Sequence, residues 1–205
     1  MIMTKSIKSL ALKALIFLLM LTLLCGVIYP LVVTGISQAF FPKQANGSLI
    51  EVNGKKYGSE LLAQQFTGNQ YMWGRVMKLD VSTFKDANGK TLMYAAPSNL
   101  TPASDDYKKL IAERVQKIRA ANPDQGNAPI PEDLVTCSAS GLDPQISPAA
   151  AQYQIARIAK ARGISADKVD NIVLHYTNHK LLGIFGEDTV NVLEVNLALD
   201  GILRN

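Results

Sequence analysis

Acidic residues are missing from the first forty-two positions of this 205-residue chain, and from Ala14 to Pro42 there is no charge of either sign. That gap rules out a solvated surface helix. The run ALIFLLMLTLLCGVIYPLVV within it is almost wholly apolar. At a rise of ~1.5 Å per residue, about 20 such residues cross a ~30 Å hydrocarbon core. A cleaved signal peptide would carry an apolar core of only ~7–15 residues, so an uncleaved anchor is favoured. Pro30 sits late in the span, where it is expected to kink the helix or mark its last turns. The division expected is a short cytoplasmic N-terminus over 1–13, a transmembrane helix over 14–41 and one extracytoplasmic domain over 42–205.

Cysteine is nearly absent. Cys25 lies in the apolar span and Cys137 far beyond it, so no intramolecular disulfide is expected and the domain must rest on its hydrophobic core. Net charge in that domain is also lacking. All seventeen acidic residues and eighteen of the twenty-one basic ones follow Pro42, which leaves the domain at about +1. Nucleic-acid binding, which wants a basic face, is excluded on that ground. Lys108, Lys109, Arg114, Lys117 and Arg119 read as a solvated helix face. The other three bases, Lys5, Lys8 and Lys13, flank the span without an acidic neighbour, which favours an N-terminus inside and a domain outside.

Beyond the anchor, Asn53-Gly54 between two short extended runs in SLIEVNGKKYGS is a hairpin signal, because both residues tolerate positive φ. Residues 60–66 (ELLAQQF) are expected as a short helix. Residues 80–104, rich in Ser, Thr, Asn, Gly and Pro, are expected as a long ordered loop whose tightest turn is Pro97–Pro102. Helical spacing of Tyr107, Leu110, Ile111, Val115 and Ile118 predicts a helix from about Asp105. Ser147-Pro148 reads as an N-cap followed by proline at the first helical position, with Ala151, Ile155, Ile158 and Ala159 as a buried stripe and Gly163 as the stop. Ser165 caps a further helix that buries Val169, Ile172, Val173 and Tyr176. The closing TVNVLEVNLALD fits either a strand or a helix, with helix preferred. These elements make the fold class α+β, one transmembrane helix followed by one extramembrane domain.

The stretch TCSASGLDPQISPAAA has the composition of a catalytic loop. A serine nucleophile needs a histidine base and an exposing elbow, and Ser138-Ala139-Ser140-Gly141 lacks the leading glycine of G-x-S-x-G. Turn formation and capping explain those serines better. His175 and His179 would share a helix face and could reach a metal, yet the glutamate of H-E-x-x-H is replaced by Tyr176 and no third ligand is evident. Phosphate-binding loops of the G-x-x-x-x-G-K-[ST] or G-x-G-x-x-G type are absent. Asp143, before Pro144, reads as a turn anchor.

Several motifs in order carry a family resemblance: GVIYPLVVTGISQAFFP ending the span, GSLI at 47–50, YGSELLAQQF at 57–66, PSNLTP at 97–102, IPEDLVTCSASGLDPQISPAAAQYQIARIAKARG at 130–163 and VNVLEVNLALD at 190–200. Over nearly its whole length the chain resembles the C subunits of the Kdp-type potassium-transporting ATPases. Departures are mild: the family has glycine where Ala63 stands, small residues at Cys137 and Ala139, and histidine at Gln145.

The resemblance implies a single-pass protein of the bacterial inner membrane with its domain periplasmic or extracellular. Its implied partners are a potassium-channel-like subunit, a P-type ATPase subunit and a small fourth subunit, besides membrane lipid. It implies a non-catalytic accessory role in assembly and stability, with a proposed catalytic-chaperone action that raises the ATP affinity of the ATPase subunit. No cofactor is implied in this chain; ATP, magnesium and potassium belong to the complex. Ser138, Ser140, Gly141, Asp143, Pro144, Ser147 and Pro148 are then expected as a partner-contact or structural motif. Two other readings stand beside this one: a membrane-anchored nucleotide- or ion-binding regulatory module, and a serine hydrolase using Ser138 or Ser140.

Overall fold

The computed structural model describes residues 2–204, which divide along the chain into two compact units between Ser48 and Leu49. The first is helical. Helices α1 (Ile2–Leu23) and α2 (Tyr29–Phe40) are joined by a π-turn over Leu24–Ile28. Pro30 cannot donate an N–H, and its ring would crowd the carbonyl four residues back. The wider π-turn just before it absorbs that demand, with the Tyr29 N–H donating to Leu24 O, and the helix runs on through the proline to Phe40. Ile7–Phe40, 34 residues, is long and apolar enough to cross a membrane. A short helix α3 (Pro42–Ala45) follows, and Asn46 Nδ2 ties it back through 3.0 Å to Gln38 Oε1 and 2.7 Å to Pro42 O.

The second unit is the α+β domain. Its first hairpin, β1 (Leu49–Val52) with β2 (Lys55–Ser59), turns on Asn53-Gly54, both at positive φ as that dipeptide predicts. A second antiparallel hairpin, β3 (Leu79–Lys85) with β4 (Thr91–Ala95), corrects the expectation of a loop over 80–104. Its turn closes through Asp86 N–H to Lys90 O at 2.9 Å, and the Asp86 carboxylate accepts from the amides of Asn88 and Lys90. Asp80 shapes the irregular register of β3. Hydrogen bonds from the Ser82 amide and hydroxyl, with further ones from Tyr94 and Thr83, hold its carboxyl far below the usual carboxylate range.

Helix α4 (Asp105–Ala121) starts where expected, with Ser104 Oγ accepting from Tyr107 N–H. Strand β5 (Gln145–Ile146) leads into α5 (Pro148–Gln152), α6 (Ile155–Arg162) and α7 (Ala166–His175). Ser147 and Ser165 serve as N-caps of α5 and α7, and Gly163 ends α6 at φ 65°. The stripe of Ala151, Ile155, Ile158 and Ala159 is buried. Strands β6 (Thr177–Asn178) and β7 (Thr189–Asn191) complete a three-stranded antiparallel sheet of order β5-β7-β6, and α8 (Val192–Leu199) closes the domain. Within TVNVLEVNLALD the preferred helix holds from Val192, while the first three residues are strand.

Residues 60–66 are not helical. They leave a turn for an extended path because tertiary partners claim their backbone: Asn191 Nδ2 donates to Glu60 O at 2.8 Å and Ala63 N–H to Leu142 O at 3.0 Å.

The irregular segment from Gln65 to Lys78 runs through the centre of the core. Met72 and Trp73 are buried yet belong to no strand, so their backbone polar groups need other partners. Two buried amide side chains supply them. Asn196 on α8 accepts from Met72 N–H at 2.7 Å and donates to Met72 O at 2.9 Å. Gln154, between α5 and α6, accepts from Trp73 N–H at 2.8 Å and donates to Trp73 O at 3.0 Å.

Arg157 reinforces the clamp. Its guanidinium donates to Asn69 O, Tyr71 O, Asn122 Oδ1 and Gln154 Oε1 and lies 4.3 Å from the Trp73 ring centroid. Burial lowers its pKa to about 10, so it stays charged at neutral pH. Gln154→Leu strands both polar groups of Trp73. At about 1–3 kcal/mol per stranded buried group, the detergent-solubilised full chain should lose roughly 2–6 kcal/mol, read as a lower urea midpoint.

Candidate functional site

The Thr136–Ala151 stretch folds as a junction. The Ser138 and Ser140 hydroxyls lie 3.1 Å apart. Ser138 Oγ accepts from Gly141 N–H at 3.1 Å, and Ser140 Oγ accepts from Leu142 N–H at 3.2 Å. Gly141 sits at φ +74°, and a Cβ there would lie 2.6 Å from Lys78 O and 3.2 Å from Ala96 O. Glycine is required twice over, by conformation and by space. The close approach lets Lys78 N–H donate to Gly141 O at 2.9 Å, while Ala96 N–H donates to Lys78 O at 3.2 Å. The second hairpin is thereby anchored at its base.

The following residues continue outward. Leu142 O receives Ala63 N–H, and Pro144 O receives Val192 N–H at 3.1 Å from the first turn of α8. Asp143 Oδ1 accepts from Gln145 N–H at 3.0 Å, and its other oxygen faces Arg75 Nη1 at 3.5 Å. Asp133 takes the same Arg75 nitrogen at 3.7 Å and accepts Ser147 N–H at 2.8 Å. Arg75 Nη2 donates to Thr136 Oγ1 at 3.2 Å and Cys137 O at 3.4 Å. Ser147 Oγ accepts from Ala150 N–H, and Pro148 opens α5.

All seven expected site residues thus lie in one continuous structural element. Arg75 and Asp133, which join its two ends, were not singled out in the sequence. Their signal is faint: a lone arginine two residues after the only tryptophan, and an aspartate two residues after a proline.

Chemically the junction is occupied with itself. Among the described residues no hydrogen bond joins Ser138 or Ser140 to a histidine. Helix α7 ends at His175, whose ring packs edge-on to Tyr176, while His179 follows β6 and pairs with Asp188 at 3.2 Å. The two histidines do not share a helix face, because the chain leaves the helix between them. No group of three or more His, Cys, Asp or Glu side chains converges as metal ligands among the described residues.

Cys137 is partly buried, which opposes ionisation. Hydrogen bonds from the Ser98 side chain and backbone, together with the Arg114 charge, outweigh that and bring the thiol below its usual pKa. Next to the junction lies a cavity of about 210 Å³, bordered by Trp73, Phe66 and three cations, Arg75, Arg114 and Lys117.

The family model that matches the chain is KdpC, the K+-transporting ATPase c chain, over residues 11–201. Curated relatives agree. A potassium-transporting ATPase KdpC subunit of Clostridium perfringens is 60% identical over 94% of this chain and 97% of the relative. One of Clostridium botulinum strain Alaska E43 is 60% identical over 98% of this chain and all of the relative. A more distant one of Ralstonia nicotianae is 46% identical over 91% and 88%.

Gly141→Ala should destabilise the domain by more than about 2 kcal/mol, from positive-φ strain and contact with an immovable carbonyl. Ser138→Ala and Ser140→Ala each remove turn hydrogen bonds worth about 0.5–1.5 kcal/mol. Thermal melts of the three variants should rank them in that order, with glycine far worse than either serine.

Proposed function

Because the chain belongs to the KdpC family of potassium-transporting ATPase subunits, we propose that it is a non-catalytic accessory subunit of an ATP-driven potassium uptake pump. It holds together a complex of a potassium-channel-like subunit, a P-type ATPase subunit and a small fourth subunit. ATP, magnesium and potassium act in those partners and not in this chain. The protein sits in a bacterial inner membrane, anchored by Ile7–Phe40, with the N-terminus inside and the domain outside.

The observation that carries this reading is the fate of the Thr136–Ala151 stretch. Its hydroxyls and the Asp143 carboxylate are committed to backbone groups and to Arg75, not to a reaction centre. Ser138, Ser140, Gly141, Asp143, Pro144, Ser147 and Pro148 keep the domain surface in the shape its partners meet. With the domain outside, any rise in the ATP affinity of the pump subunit passes through the complex as a coupling free energy between sites.

A second reading, an anion-binding regulatory module, is favoured by the cavity beside Arg75. Its lining holds three cations and no carboxylate. At about 210 Å³ it falls below the ~300–1,000 Å³ usual for organic ligands and suits a compact anion better than a whole nucleotide.

Co-expression with the other subunits, with and without this chain, tests the main reading. Omitting the chain should cut the yield of intact complex and raise the ATP concentration needed for half-maximal ATPase activity. Equal yield and equal ATP dependence would overturn it. Orientation is tested by Asn88→Cys at the exposed hairpin turn, in a Cys25→Ala/Cys137→Ala background. A membrane-impermeant thiol reagent should label it in intact cells. Labelling only after the membrane is opened would place the domain inside.

A further inference from the structure

Between β6 and β7 the chain projects a short loop, Leu181-Leu182-Gly183-Ile184-Phe185, whose four large apolar side chains are 63–80% exposed. Single exposed apolar residues are ordinary, but four large ones within five residues of one turn are not. The loop is also held in shape. Leu181 and Phe185 exchange backbone hydrogen bonds at 2.9 and 3.0 Å, and Gly183 N–H and Ile184 N–H close the turn onto Lys180 O and Leu181 O. Gly183 and Gly186 lie at φ +72° and +84°, and Leu182, a branched residue, is held at φ +55°. A leucine in the left-handed region is a strained choice that the surrounding turn enforces. An ion pair and a hydrogen bond brace the base of the loop, Lys180 Nζ to Glu187 Oε2 at 2.9 Å and His179 Nδ1 to Asp188 Oδ2 at 3.2 Å.

We infer that this loop is a preformed apolar plug that seats in a hydrophobic recess on the extramembrane face of another subunit anchored in the same membrane. The inference rests on the reading of the chain as a pump subunit. Size argues for a co-anchored partner. Four side chains are far fewer than the about 20–30 residues per side of a standard free-standing interface, so the plug cannot by itself hold a soluble partner or a second copy. Two proteins tethered in one bilayer meet at a high effective concentration, and a small contact then suffices.

Charge argues against the lipid surface. Membrane-binding loops gain from free Lys or Arg and from Trp or Tyr at the headgroup level. Here the one lysine is matched by Glu187, Asp188 adds a negative charge, and the loop carries neither Trp nor Tyr. Rigidity fits a shaped recess, since a turn already held in place loses little entropy when it docks.

The test uses the full chain co-expressed with the other pump subunits. Leu182→Asp/Ile184→Asp alters two exposed side chains, so the thermal melt of the purified variant should match the wild type. Co-purification of the other subunits should fall at least tenfold, while Leu182→Met/Ile184→Met retains it. Wild-type co-purification by the Asp variant would overturn the plug. In parallel, a benzophenone amino acid at Phe185 should photocrosslink to a pump subunit. Crosslinks only to lipid, only to a second copy of the chain, or to nothing would overturn it as well. If the wild-type chain itself fails to co-purify with the pump, it is the proposed function that falls.

Discussion

A buried stretch of backbone that belongs to no sheet has to be hydrogen-bonded by something, and in this domain side-chain amides do it. Asn196 and Gln154 each present an oxygen and an NH₂ to one residue of the Met72–Trp73 pair, as a neighbouring strand would present C=O and N–H. The geometry binds α8 on one side of the segment and the α5–α6 junction on the other. Arg157 then fills the remaining carbonyls and stacks on Trp73. A buried guanidinium without a carboxylate partner is costly unless its donors are met, and carbonyls and amides meet them here. With small sheets and no disulfide, this polar clamp lets elements far apart in sequence share one core.

The Ser138–Pro148 junction solves the same problem at the domain edge. Gly141 brings two backbones to within carbonyl contact, and the Arg75 fork crosses from the central segment to Asp133 and Asp143. The polar residues that resemble a catalytic loop are there because tight turns and close backbone approach leave N–H groups outside any helix or sheet ladder. Ser, Asp and Gly satisfy or avoid those groups with the shortest side chains available.

Local rules made part of this legible. Helix starts at Ser104, Ser147 and Ser165 and the stop at Gly163 follow from capping chemistry confined to a few residues. The hairpin at Asn53-Gly54 is legible from its turn, where both residues take positive φ. Asn88-Gly89 differs, because only the glycine lies at positive φ and the turn is longer, closing from Asp86 to Lys90, so the dipeptide does not mark a two-residue hairpin there. Residues 60–66 depart from their helical preference for another reason: tertiary partners claim their backbone. The motif residues of the junction were visible as a group. Arg75, Asp133, Gln154, Arg157 and Asn196 were not, since a polar residue destined for the core looks locally like one destined for solvent.

The placement of unmet chemistry bears on what kind of protein this is. An enzyme site leaves polar groups poised for a substrate. In this domain the polar side chains of the core and the junction are bonded within the fold apart from Arg75 Nε and Tyr153 Oη, while the 181–185 loop leaves large apolar surface facing water. Hydrophobic surface is non-directional and performs no reaction, but its removal from water drives association. A chain that bonds most of its polar groups internally and projects large apolar ones on a strained, braced turn presents the kind of surface that the proposed docking requires. Membership of a family of pump subunits is the setting in which that construction makes physical sense.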